Sequence, residues 1–163
     1  MSRRHAATDR PPTLAVRALT VEFALREGRA RVVDRVGLDV WPGEIVGLIG
    51  ESGSGKTITA MTALGLAPKR SRVMSCSIAL SGRELLTLSA ADMRTLRGDR
   101  IALIPQDAMR ALNPTMRVGM QVGEPLELHR RSPWAAAKAK AVELLRAVHL
   151  REPETRAVEY PHQ

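Results

Sequence analysis

The hydrophobic positions of this chain change period several times, and each change predicts an element. From Leu14 the apolar residues Leu14, Val16, Leu19, Val21 and Phe23 recur at nearly every second position, the spacing of a strand with one face on a core. Glu27-Gly28 supplies a turn, and residues 32–40 alternate again through Val36, Leu38 and Val40, so the opening predicts an antiparallel hairpin layer. Trp41-Pro42-Gly43-Glu44 is a second turn signal. It leads into Ile45-Val46-Gly47-Leu48-Ile49, a continuous apolar run of the kind that forms a strand covered on both faces. A glycine-rich loop follows from Gly50 to Gly55, and residues 57–66 hold good helix formers with few breakers before Pro68.

Further along, Ser89-Ala90-Ala91-Asp92 resembles a capping box opening a short helix to Arg97. Residues 101–104 then predict a second buried strand, closed by Pro105. From Pro114 the pattern turns helical. Ser132-Pro133 predicts an N-cap and a first-turn proline. After it, Trp134, Ala137, Ala141, Leu145 and Val148 fall on one helix face, with Trp134 expected as a core anchor. Residues 1–12 are polar and end in Pro11-Pro12, which predicts a flexible tail.

Composition narrows the class. The chain has 163 residues, 44% of them hydrophobic and 26% charged, enough for one core and incompatible with long disorder. No apolar run approaches the roughly 18 residues needed to cross a bilayer; residues 58–67 are interrupted by Thr59 and Thr62. The basic start, Met1 to His5, is followed by no apolar segment of the secretory kind, so a cytoplasmic location is expected. Cys76 is the single cysteine and has no intrachain disulfide partner; a small buried apolar role is expected for it. A net charge of +8 permits an acidic partner such as a phosphate ligand, nucleic acid or anionic lipid. Aromatic residues make up only 2%, too few for a base-stacking platform, so no nucleic acid is expected.

The strongest chemical signal is Gly50-Glu51-Ser52-Gly53-Ser54-Gly55-Lys56-Thr57, which fits G-x-x-x-x-G-K-[ST] at every fixed position. Chance produces those four positions in roughly one chain in two hundred of this length, and the expected strand before and helix after make it rarer. Glycines let successive N–H groups turn inward and leave space for an anion, while the helix that follows adds the positive end of its dipole. Lys56 offers a point charge for β and γ phosphates, and Thr57 a hydroxyl for Mg²⁺. A nucleoside triphosphate is implied, but no reaction. Gln106 follows the expected strand at 101–104, at the sheet edge where ligands of parallel α/β sheets sit. A neutral amide there can bond an attacking water or complete a Mg²⁺ shell.

The loop GESGSGKT, the stretch from Ser81 to Leu126 (SGRELLTLSAADMRTLRGDRIALIPQDAMRALNPTMRVGMQVGEPL) and the terminal EYPHQ resemble the ATP-binding subunits of ABC transporters, in the dipeptide, oligopeptide and nickel importer group. The resemblance runs from about Leu14 onward. It implies an α/β P-loop NTPase core, with an N-terminal antiparallel β layer and the start of a helical subdomain at about residue 114. Residues 13–163 would then be the N-terminal part of the nucleotide-binding domain. It also implies that Phe23 stacks on adenine, that Gly50, Glu51, Ser52, Gly53, Ser54, Gly55, Lys56 and Thr57 bind ATP, and that Thr57 and Gln106 serve Mg²⁺. Lys56 and Gln106 take the catalytic roles. The implied partners are transmembrane permease subunits, a second ATP-binding subunit and, indirectly, an extracytoplasmic solute-binding protein, with the chain peripheral on the cytoplasmic side of the membrane.

Departures from the family pattern are Ala108, where proline is frequent, and Met74-Ser75-Cys76-Ser77 in place of a glycine-containing turn. The sequence reaches Gln163 just before the place of the family's LSGGQ-type signature. No apolar run leads into an Asp-Glu pair, and His162 belongs to the YPHQ match rather than to a switch histidine. The expectation is therefore an incomplete domain that binds nucleotide weakly and hydrolyses little alone. Two alternatives stay open: a soluble ABC-type ATPase acting on nucleic acid, and a non-functional truncated product.

Overall fold

The computed structural model describes residues 10–26, 28–74 and 76–163. Residues 1–9 of the tail expected over 1–12, Glu27 of the first turn and Ser75 of the 74–77 segment lie outside the described residues. The chain divides into two compact units, residues 1–94 and 95–163.

The first unit holds an antiparallel sheet, helix α1 (Lys56–Ala63) and most of helix α2 (Ala90–Leu96). Strand β1 (Leu14–Leu25) pairs with β2 (Gly28–Val40) on one edge. On its other edge it pairs with β3 (Ser71–Val73) along one half and with β4 (Ser77–Leu80) along the other. Strand β5 (Arg83–Glu84) completes the order β2-β1-β4-β5. The expected hairpin layer is present, with Val16 facing Leu38 and Val21 facing Val33. Val16, Leu19, Val21, Val33, Ile78 and Leu80 are buried and form the core of the layer. The register shifts between Val16 and Leu19 and again before Val21. Ala18 (φ 50°) and Arg35 (φ 48°) adopt left-handed conformations on the two strands there, and the Arg35 amide donates to the Thr20 hydroxyl at 3.0 Å.

Two turns shape the layer. Pro42-Gly43 turns with Gly43 at φ 74°, and Glu44 closes it twice: its amide donates to the Trp41 carbonyl at 3.0 Å and its carboxylate accepts from the Trp41 amide at 2.8 Å. Ser81 (φ 49°) and Gly82 (φ 82°) form the two-residue loop between β4 and β5, both left-handed as a type I′ hairpin requires. Glu84 then accepts from the Ser77 hydroxyl at 2.5 Å, the Ile78 amide at 3.0 Å and the Leu86 amide at 3.1 Å. Burial works to raise the Glu84 carboxyl, but the hydrogen bonds from Ser77, Leu86, Ile78 and Leu85 outweigh it and hold the group below the usual carboxylate range. Cys76 is half-buried rather than a core residue, because it sits in the connection before β4 instead of on an inward strand position. Desolvation and the nearby Glu84 charge push its thiol up.

Helix α1 (Lys56–Ala63) begins one residue earlier and ends three residues sooner than the pattern predicts. Its end is fixed by Gly65 (φ 66°): the Gly65 amide donates to the Thr62 carbonyl at 2.9 Å and the Leu66 amide to the Met61 carbonyl at 2.8 Å, a Schellman closure. Helix α2 (Ala90–Leu96) has the expected start, where the Ser89 hydroxyl accepts from the Asp92 amide at 3.1 Å and donates to its carboxylate at 2.7 Å.

Two expected buried strands are not formed. Residues 45–49 make no ladder with any described strand, and Ile45 and Ile49 are 98% and 95% exposed. Residues 101–104 contribute only an isolated parallel bridge between Arg97 and Ile101, with Ile104 92% exposed. A strand covered on both faces needs hydrogen-bonded neighbours on both edges. No described segment supplies them, so apolar composition alone does not produce a strand there.

The second unit is helical. It holds α3 (Ala108–Ala111), α4 (Val118–Arg130), α5 (Trp134–Ala147) and α6 (Pro153–Val158). Helices α4, α5 and α6 pack on one another through small residues. A Cβ on Gly119 would lie 2.7 Å from the Ala157 carbonyl oxygen, and one on Gly123 would lie 3.2 Å from the Trp134 ring. Of the predicted α5 stripe, Ala137, Ala141 and Leu145 are buried; Trp134 and Val148 at its ends remain 38% and 72% exposed, so Trp134 is no core anchor. Pro133, not Ser132, occupies the cap position, because extended backbone at Pro133 (φ −54°, ψ 141°) delays the helix to Trp134.

Candidate phosphate-binding loop

The turn ending at Glu44 and the start of α1 bracket residues 45–55, and the loop from Gly50 to Thr57 curls tightly between them. The Ser54 amide donates to the Glu51 carbonyl at 3.2 Å. Gly53 (φ 82°) and Gly55 (φ 88°) are left-handed, conformations that cost an L-residue roughly 1–2 kcal/mol. Gly55 is buried, and a Cβ there would meet the Val32 carbonyl oxygen at 3.0 Å and the Val33 side chain at 3.1 Å. The end of the loop therefore rests on the backbone of β2, and only glycine allows that approach. At Gly50 a Cβ would lie 2.8 Å from the Ser54 hydroxyl.

Lys56 is the first residue of α1, and its ammonium turns back over the loop. It donates to the Gly50 carbonyl at 2.7 Å, the Glu51 carbonyl at 2.6 Å and the Ser54 hydroxyl at 3.2 Å, which uses all three of its protons. One helical turn on, the buried Thr59 hydroxyl and amide both bond the Gly55 carbonyl, at 3.0 and 2.8 Å. That carbonyl is thereby turned into the helix and away from the concave side. The amides of Lys56, Thr57 and Ile58 start the helix and lack an intrahelical acceptor, so they remain able to donate to an anion. Thr57 is exposed. Loop glycines, a cation and free helix-start amides fit a polyphosphate; Thr57 adds a hydroxyl suited to a hard cation.

The other predicted site residues lie apart from this loop in sequence. Phe23 is half-buried on β1, opposite Ala30 on β2 and Ser71 on β3. Gln106 belongs to the second unit and is exposed in a bend before α3. Sequence reasoning missed two features of the loop. The Ser54 hydroxyl is one of the three acceptors for Lys56, and the Val32–Val33 backbone seats Gly55; neither carries a one-dimensional signal. Among the described residues no cluster of His, Cys, Asp and Glu forms a metal site, and no helix is long and apolar enough to cross a membrane.

With that geometry in place, comparison with known proteins is decisive. The family described as ABC transporter matches residues 33–163. The chain belongs to the ABC transporter family. Its curated relatives include the peptidoglycan transport ATP-binding protein YejF of Agrobacterium fabrum, 42% identical over 96% of this chain and 29% of that protein. The probable peptide ABC transporter ATP-binding protein y4tR of Sinorhizobium fredii is 42% identical over 92% of the chain and 45% of that protein. The dipeptide transport ATP-binding protein DppD of Haemophilus influenzae is 39% identical, over 92% and 46%. The chain thus spans less than half the length of these relatives. Their names speak for transport and none for nucleic acid. Among solved structures, the dimeric bacterial ABC transporter cassette MJ0796 superposes with a TM-score of 0.80 at 22% identity, covering 92% of this chain and 62% of that one. A post-hydrolysis form of the same cassette gives 0.79. That likeness shows the fold: this is part of an α/β P-loop ABC ATPase cassette.

Proposed function

We propose that the chain is the nucleotide-binding front part of the ATP-binding subunit of a peptide importer. In this reading, residues 50–57 hold the phosphates of ATP, Thr57 and Gln106 serve Mg²⁺, and Phe23 carries the adenine. The observation that supports it most is the loop itself, where Lys56 is held by neutral acceptors over a curl of left-handed glycines. A phosphate oxygen is a stronger acceptor for an ammonium than a carbonyl or hydroxyl, because the bond is charge-assisted. Arrival of a polyphosphate therefore exchanges the three internal bonds of Lys56 for ionic ones.

Mg²⁺, when bound, neutralises charge on the phosphates and polarises the terminal one. The chain's own residues do the rest: amides at the start of α1 orient the anion, Lys56 adds a fixed charge, and Gln106 offers a neutral amide to a water. In the whole protein we infer ATP hydrolysis coupled to peptide import, with permease subunits and a second ATP-binding subunit as partners, on the cytoplasmic face of the membrane. The names of the relatives support the peptide class. The test is competition against a fluorescent ATP analogue bound to this chain. ATP, ADP and inorganic pyrophosphate should displace it and adenosine should not; displacement by adenosine alone would overturn the phosphate-centred reading.

A further inference from the structure

The segment after Gln106 has a second anchor that the phosphate loop does not explain. Residues 112–117 contain no regular secondary structure; the Arg117 carbonyl joins α4 by accepting from the Met120 and Gln121 amides at 3.1 and 3.2 Å, and residues 113–116 are tied to the helix through one side chain. The amide nitrogen of Gln121 donates to the Asn113 carbonyl at 3.0 Å and to the Met116 carbonyl at 2.7 Å, while its oxygen accepts from the Asn113 amide at 2.8 Å. Gln121 thus pairs with both backbone groups of Asn113, as a neighbouring strand would, and reaches three residues further to Met116. The Asn113 side chain tightens the same turn by accepting from the Thr115 amide at 3.0 Å and its hydroxyl at 2.8 Å. Gln121 is half-buried, so water competes only partly for these bonds.

What Gln121 is attached to matters as much. Helix α4 is locked against its neighbours: Gly119 sits against the Ala157 backbone of α6, Gly123 against Trp134 and Ala137 of α5, and the Val118 amide donates to the Glu159 carbonyl at 2.9 Å. At Gly119 the contact leaves no space for a methyl group and at Gly123 a methyl would push its neighbours aside, so sliding of α4 disturbs its packing on α5 and α6.

We propose that Gln121 is a positioning residue that fastens the segment downstream of Gln106 to the three-helix body, so that a displacement at Gln106 is passed to α4, α5 and α6 as one piece. This rests on the proposed role of Gln106 toward nucleotide. Residues 112–116 share no backbone hydrogen bond with α4, which is why a single side chain matters.

The test uses amide-resolved NMR of the 163-residue chain and its Gln121→Leu and Gln121→Glu variants. Gln121→Leu removes all three bonds; Gln121→Glu keeps the acceptor for Asn113 and loses both donors. In Gln121→Leu the Asn113 amide should exchange about tenfold faster or more, with Ala141 and Leu145 of α5 unchanged; Gln121→Glu should fall between. Titration with MgATP should move the Gln106 and α4 amides together in the parent and the Gln106 amide alone in Gln121→Leu. Unchanged exchange at Asn113, equal loss of protection across α5, or an α4 response equal in parent and variant would each overturn the inference. A parent in which no amide of residues 50–57 responds to MgATP defeats the nucleotide reading, and with it the transmission step. A parent that responds at 50–57 and Gln106 but not in α4 defeats the transmission alone.

Discussion

Gly55 and Gly53 offer a matched pair for testing how the loop is held. Both are left-handed, at φ 88° and 82°, so alanine at either position incurs the same conformational cost, roughly 1–2 kcal/mol. They differ in surroundings. A Cβ at Gly53 meets nothing within 4 Å, whereas one at Gly55 meets the Val32 carbonyl oxygen at 3.0 Å and Val33 Cγ2 at 3.1 Å. A strand backbone paired on β1 cannot give way cheaply, so overpacking adds about 1–3 kcal/mol at Gly55 only. Gly53→Ala should therefore destabilise the first unit by about 1–2 kcal/mol, and Gly55→Ala by about 2–5 kcal/mol. Urea unfolding followed by Trp41 fluorescence, in a Trp134→Phe background, reads the first unit without the second. Equal losses for the two variants would refute the seating of the loop on β2.

Three further outcomes follow from particular contacts. The folded-state pKa of Glu84 is depressed, so its stabilisation is complete above the unfolded carboxylate pKa and disappears as pH falls through the lower folded value. Glu84→Gln should flatten that acid loss in a pH series of melts, and an unchanged slope would contradict it. His149 closes α5 at φ 58°, with its amide bonded to the Arg146 carbonyl at 2.9 Å and the Leu150 amide to the Leu145 carbonyl at 3.1 Å. His149→Gly should raise the stability of the helical unit by about 0.5–1 kcal/mol, measured by denaturation followed on Trp134. Ile45 and Ile49 leave an apolar run uncovered, so the chain should self-associate as concentration rises. Ile45→Thr with Ile49→Thr should suppress this in sedimentation velocity; a monomeric parent at all concentrations would count against it.

How much could be read in advance divides along physical lines. The β1–β2 hairpin was legible because alternation marks both strands: Val16 and Val21 on β1 are buried, and Leu38 and Val40 on β2 are half-buried. Its bulges were not, since left-handed Ala18 and Arg35 leave no mark on a hydrophobic pattern. The Ser81-Gly82 turn was not read in advance; its I′ geometry follows from the pairing of β4 with β5. Residues 45–49 and 101–104 failed as strands because pairing depends on neighbours that local composition does not report. In the loop, the motif announced glycine and lysine positions that the fold then uses: Gly53 and Gly55 at positive φ, Lys56 over the curl. Gln121 was invisible, because a glutamine on an amphipathic helix reads as solvated surface until the turn at Asn113 is seen beside it.

The central claim is that residues 50–57 form a polyphosphate cradle whose cation is Lys56, and isothermal titration of this chain with MgATP tests it most directly. The account predicts saturable one-site binding that weakens in Lys56→Ala by about 1.5–3 kcal/mol, roughly ten- to more than a hundredfold in Kd. Equal affinity in the two proteins, or no binding by a parent whose first unit is folded, would contradict it.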